Sequence, residues 1–137
     1  MGIDGGTKTF GLALSDPSRT IATGLETVRR KKFATDADRL FALVDEHDVC
    51  ALVIGYPLNL DGSEGPRAQA TRALQRNLHN RRAMPMLLWD ERLTTQAAER
   101  ALLEADQSRA KRATVIDMLA ATLILQGALE RLAQAKP

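Results

Sequence analysis

Three acidic residues stand where an acid is awkward for folding. Asp4 interrupts the opening stretch Met1-Gly2-Ile3, Glu91 closes the run Met86-Leu87-Leu88-Trp89-Asp90-Glu91, and Asp117 lies inside the nearly all-apolar segment from Val115 to Leu125. An unpaired carboxylate in such a setting is costly or takes up a proton. A chain that keeps three of them is expected to offset them with cations, and hard ions that take oxygen ligands, Mg²⁺ or Mn²⁺, suit the purpose. Two such ions held about 4 Å apart by shared carboxylates can activate a water and stabilise the leaving oxygen of a phosphodiester. The expected chemistry is therefore metal-dependent phosphodiester hydrolysis. The bland alternative for Asp117 is pairing with an arginine from the 109 to 112 stretch.

Other chemistries have little support. No Gly-x-Ser-x-Gly elbow occurs. Cys50 is the single cysteine, which excludes an internal disulfide and a two-cysteine zinc site; it is expected to be a small buried hydrophobe in Val49-Cys50-Ala51-Leu52-Val53-Ile54. His47 and His79 fall in charged helical stretches and are expected at the surface.

The elements that must position the acids can be read from periodicity. Phe10, Leu12 and Leu14 alternate with Gly11, Ala13 and Ser15, and Gly5-Gly6 precedes them, so residues 2 to 15 read as a hairpin with Asp4 on its first arm. That arm is short, since only three residues precede Asp4. Gly24 to Val28 is a third strand candidate. Asp36 to Asp48 reads as a helix, Val49 to Ile54 as a buried strand ended by Gly55-Tyr56-Pro57, and Asn59 to Ser63 as a turn-rich loop. Pro66 suits a helix first turn, with Ala70, Ala73, Leu74, Asn77 and Leu78 at helical spacing. Met86 to Glu91 reads as another buried strand, Thr95 to Ala105 as a helix, and Ala113 to Ala133 as the longest helix.

A strand meander followed by alternating strands and helices describes an α/β chain with a mixed five-stranded sheet and helices on both faces. Sites in such sheets form at the carboxyl ends of strands, where Asp4 and Glu91 fall. Strand alternation sends Asp90 and Glu91 to opposite faces, so one is expected at the site while the other caps the turn or pairs with Arg92. Asp117 shares a helical face with Ala120, Ala121 and Ile124, whose small alanines would let the helix approach the sheet closely.

With 137 residues and 45% hydrophobic content, one domain covering 1–137 is expected. The formal charge of +2 hides three basic clusters, at Arg29-Arg30-Lys31-Lys32, at Arg67, Arg72, Arg76, Arg81 and Arg82, and at Arg109, Lys111 and Arg112. They could hold a polyanion or merely keep the surface soluble. The apolar run Met118 to Leu125 is too short to span a bilayer, and nothing at the N-terminus resembles a signal peptide, so a cytoplasmic protein without membrane contact is expected. An aromatic content of 4% argues against extensive base stacking.

Several motifs resemble, in order, those of the YqgF family, also called RuvX. They are Asp4-Gly5-Gly6-Thr7-Lys8, Gly11-Leu12-Ala13, Ser15-Asp16-Pro17, Gly55-Tyr56-Pro57-Leu58-Asn59, Asp61-Gly62-Ser63-Glu64-Gly65-Pro66-Arg67, Trp89-Asp90-Glu91-Arg92-Leu93-Thr94-Thr95 and Ile116-Asp117 with Ala120-Ala121. The resemblance implies a ribonuclease H-like fold related to Holliday junction resolvases, and a role in maturing the 5′ end of 16S ribosomal RNA. It implies catalytic, metal-binding roles for Asp4, Glu91 and Asp117, and phosphate contacts for Lys8, Arg67 and Arg92. On these motifs, charge reversal at Arg67 or Arg92 is expected to hurt more than at Arg29 or Lys32. Fewer residues than usual precede the first acid, and Gly5 stands where a bulkier residue is common.

The expected partner is precursor ribosomal RNA, with branched DNA the alternative. A junction resolvase needs two active sites, so both monomer and homodimer stay open. A non-catalytic nucleic-acid-binding module is a further alternative, although pure binding does not call for clustered acids that repel phosphate. Residues 2 to 9 also resemble the first phosphate loop of actin-like sugar kinases, but the chain has neither their length nor a second such loop.

Overall fold

A computed structural model describes residues 1–93 and 109–135, with side chains from residue 118 onward in the second segment. The helix expected over Thr95 to Ala105, and the side chains of Asp117 and of the 109 to 112 cluster, lie outside the described residues.

The hairpin forms as expected. Strand β1 (Gly2–Gly5) pairs antiparallel with β2 (Thr9–Ser15), and the Gly6 amide donates to the Thr9 carbonyl across the turn at 2.9 Å. Strand β3 (Ala22–Arg29) extends the meander antiparallel to β2. Helix α1 (Phe33–Glu46) then leads to β4 (Leu52–Tyr56), helix α2 (Pro66–Arg81) to β5 (Met86–Asp90), and helix α3 (Arg109–Gln134) ends the described chain. The sheet order is β3-β2-β1-β4-β5, with β1, β4 and β5 parallel. The mixed five-stranded sheet is therefore present, with β1 at its centre.

Its two faces are packed differently. On one face, Ile3, Phe10, Leu12, Val28 and Ile54 meet Leu40, Phe41 and Val44 of α1 and Leu78 of α2. On the other, Ala13 and Val53 meet Ala121, Ile124, Leu125, Ala128 and Leu129 of α3. Small residues let α3 come close: a β-carbon at Gly2 would stand 2.8 Å from the Ala121 carbonyl oxygen. On α2 the buried positions are Ala68, Thr71 and Leu78, whereas Ala70, expected on the inner face, is exposed.

Two expectations about burial and one about a strand end are corrected. Cys50 is exposed, because ladder pairing begins only at Leu52 and residues 49–51 are the approach to the strand. Strand β5 is only partly buried, since it is the edge of the described sheet, and Leu87 is 43% exposed there. Strand β5 also ends at Asp90, so Glu91 opens a short 3₁₀ turn, Glu91–Leu93, instead of closing the strand.

Candidate active site

The register brings Asp4 and Glu91 together. Ile3 pairs with Ile54, and Gly55 pairs with Trp89, so continuing the parallel register sets Asp4, Gly55 and Trp89 side by side at the carboxyl ends of β1, β4 and β5. Neighbours across a parallel ladder share a face, and here it is the α3 face, on which Trp89 packs. Glu91 keeps the alternation beyond the strand and turns to that face as well.

Gly55 makes the meeting possible. A β-carbon there would stand 2.6 Å from Ile124 Cδ1 and 3.2 Å from the carboxyl carbon of Glu91. The space of a missing side chain is filled by a methyl group of α3 and by the Glu91 carboxyl, which thereby reaches over β4 towards Asp4. Sequence reasoning used Gly55 only as a strand stop; a glycine at a strand's carboxyl end was the signal for a close approach.

The electrostatics follow from this proximity. Burial pushes the Glu91 carboxyl up to about 7, with the Asp4 charge adding to the rise, Arg67 opposing it, and Asp90 adding a smaller push. Arg67 stands exposed in the first turn of α2, close enough for its charge to act on Glu91. Lys8 is exposed in the β1–β2 turn, at the same end of the sheet. Asp117 belongs to α3, one turn before the buried Ala121, while its side chain lies outside the described residues.

Asp90 faces away and grips Arg92. It accepts from the Arg92 backbone amide at 2.9 Å and from Nε and Nη2 at 3.0 and 2.7 Å, which holds its carboxyl below the usual range. The Arg92 Nη1 donates to the Leu60 carbonyl at 3.3 Å, and Gly62, at φ 88°, lies against the same guanidinium. Arg92 thus ties the 59–63 loop to the end of β5. Nearby, the Tyr56 hydroxyl donates to Glu64, which also accepts from Arg72 at 3.0 Å.

Among the described residues no group of three potential ligands gathers; the third expected acid, Asp117, has its side chain outside them. The two that do meet are oxygen donors, half-buried, mutually repelling and open to relief by a hard cation, so the residues present fit Mg²⁺ or Mn²⁺.

A mixed five-stranded sheet with an acid at the carboxyl end of its central strand is the ribonuclease H-like architecture. Two solved structures share it: T. thermophilus RuvC in complex with Holliday junction substrate, with a TM-score of 0.60 and 18% identity over 99% of this chain and 96% of that one, and Thermus thermophilus RuvC, with a TM-score of 0.53 and 15% identity over 99% and 97%.

The family model described as "RuvX: Holliday junction resolvase" matches residues 1–131, and the chain belongs to the RuvX family. Among its relatives are proteins named "Putative pre-16S rRNA nuclease". One from Rhodopseudomonas palustris (strain TIE-1) is 61% identical over 97% of this chain and 83% of that protein. One from Beijerinckia indica is 62% identical over 97% of this chain and 81% of its own length.

Proposed function

We propose that this chain is a nuclease that hydrolyses phosphodiester bonds in precursor 16S ribosomal RNA, maturing its 5′ end, with Asp4, Glu91 and Asp117 as its catalytic acids. The observation that carries the chemistry is the meeting of Asp4 and Glu91 over Gly55, where burial and mutual repulsion lift the Glu91 carboxyl to about 7. The substrate follows from the relatives, about 60% identical over nearly the whole chain and named for pre-16S rRNA.

Asp4, Glu91 and Asp117 would hold Mg²⁺ or Mn²⁺, which when bound supplies a more acidic water and charge neutralisation at the phosphate. The protein's own groups do the rest. Arg67 offsets part of the acidic field and is placed to attract a phosphate towards the acids, while Lys8 does so from the hairpin turn. Arg92 contributes chiefly as the tie between Asp90 and the 59–63 loop, and would present what remains of its guanidinium to the substrate.

The test is cleavage of labelled single-stranded RNA, duplex DNA and four-way DNA junctions side by side, in Mg²⁺ and in Mn²⁺. Preferential cleavage of RNA, abolished by chelator, is expected. The family's own description favours the resolvase as second reading. Cleavage confined to junctions, by a species that sediments as a dimer, would replace the RNA reading with that one.

A further inference from the structure

We infer that the basic turn after β3, formed by Arg29, Lys31 and Lys32, is a phosphate-binding ridge that, with Lys8, seats the substrate strand on the β3 side of Asp4. This rests on the nuclease reading above and adds a path for the strand, from Arg67 across the acids to Arg29.

Placement comes first. Gly11 of β2 pairs with Asp4 on one side and with Thr27 on the other, and Thr9 pairs with Arg29. Partners across an antiparallel ladder share a face, and so do alternate residues along a strand. Arg29 therefore stands on the face of Asp4 and at the same end of the sheet. With strands about 4.8 Å apart and a rise of about 3.3 Å per residue, the two α-carbons are about 12 Å apart.

The turn is also held in place. The Arg30 amide donates to the Lys8 carbonyl at 2.8 Å, its Nη1 donates to the Gly6 carbonyl at 2.7 Å, and its guanidinium stacks 4.5 Å above Phe10. The Lys31 amide donates to the buried Asp36 carboxylate at 3.1 Å. Arg30 and Asp36 thus anchor the segment, and its exposed neighbours are presented from a rigid base, which reduces the ordering cost of binding.

Among the described residues, the charges of this turn enter no ion pair, whereas those of five arginines elsewhere do. Arg39, Arg72, Arg81, Arg82 and Arg92 each pair with a carboxylate. Among the described residues, none of Lys8, Arg29, Lys31 and Lys32 enters an ion pair. The ranking expected from the motifs is thereby changed: Arg92 is largely neutralised by Asp90, and Arg29 and Lys32 rise above it.

The test measures binding of a short fluorescein-labelled single-stranded RNA by anisotropy over a salt series in chelator, with steady-state cleavage in Mg²⁺ alongside. Arg29→Gln should lower the slope of log affinity against log salt by about 0.7, and the triple change with Lys31→Gln and Lys32→Gln by about 2, each lost phosphate contact contributing alike. In cleavage KM should rise while kcat stays within about twofold, the pattern of lost uniform binding. Arg29→Lys should keep the slope. Arg19→Gln, in the β2–β3 turn at the opposite end of the sheet, should change neither quantity.

An unchanged slope in the triple variant, or an equal loss in Arg19→Gln, overturns the ridge. Wild-type protein that cuts RNA while the ridge variants bind normally would leave the nuclease reading standing without the ridge. Protein that binds with the expected slopes but cuts no nucleic acid would do the reverse.

Discussion

Asp4 and Glu91 repel each other where the chain has left no side chain between them, and this predicts what each substitution does. Asp4→Asn and Glu91→Gln should each lower cleavage by about 10³-fold or more, while RNA binding survives, because the lost charge repels phosphate. Retention of a tenth of the activity by either variant would remove that residue from the site. Asp90→Asn should cost far less than either, since its carboxylate faces Arg92. The pH dependence follows from the raised carboxyl of Glu91, at about 7 against an ordinary 4.5. A folded-state value above the unfolded one means that the metal-free protein holds this contribution fully below pH 4.5 and loses it as pH rises through about 7. In chelator at pH 8, Glu91→Gln should thus be the more stable protein, by about 1–2 kcal/mol once partial exposure is allowed for. Urea melts of the two proteins at pH 4 and 8 check the sign.

At the scale of elements, the site depends on how closely α3 and the 3₁₀ turn approach the ends of β1 and β4. Gly55→Ala would set a methyl 2.6 Å from Ile124 Cδ1 and 3.2 Å from the Glu91 carboxyl carbon. The cost is expected to be about 1–3 kcal/mol, with activity lost as Glu91 is displaced. Gly5→Ala is the opposite case. Its β-carbon would make ordinary contacts, 3.6 Å from Phe10 and 3.7 Å from Leu74, without a left-handed backbone. It should be neutral or stabilise by up to about 1 kcal/mol, with cleavage unchanged, as thermal melts and a cleavage assay can show.

For the whole molecule, the carboxylates and the ion they would hold link folding to metal and to protons. Millimolar Mn²⁺ should raise the melting temperature at neutral pH, and the rise should shrink as pH falls from 8 to 6, because binding must displace the proton on Glu91. Melts indifferent to Mn²⁺, together with chelator-resistant cleavage, would be incompatible with a metal-dependent site. Among the described residues no helix is long and apolar enough to cross a membrane.

Much of this was legible in the chain itself because it depends on local periodicity and on motifs. The alternation of Phe10, Leu12 and Leu14, the Pro66 helix start and the misplaced acids each follow from neighbours in sequence, and the ordered motifs pointed to the family. Opposite faces for Asp90 and Glu91 followed from strand geometry alone. Burial was harder to read. An apolar run does not reveal where ladder pairing begins or which strand is an edge, so Cys50 and β5 proved more exposed than their composition implied. The site was the least legible part. Asp4 and Glu91 meet because β4 lies between β1 and β5 and offers only Gly55 at that level, and Arg29 joins their face because β2 lies between it and β1. Such lateral neighbours are set by strand order and register, which arise from long-range pairing, so only the folded sheet could show which acids converge and which cations remain free to face a phosphate.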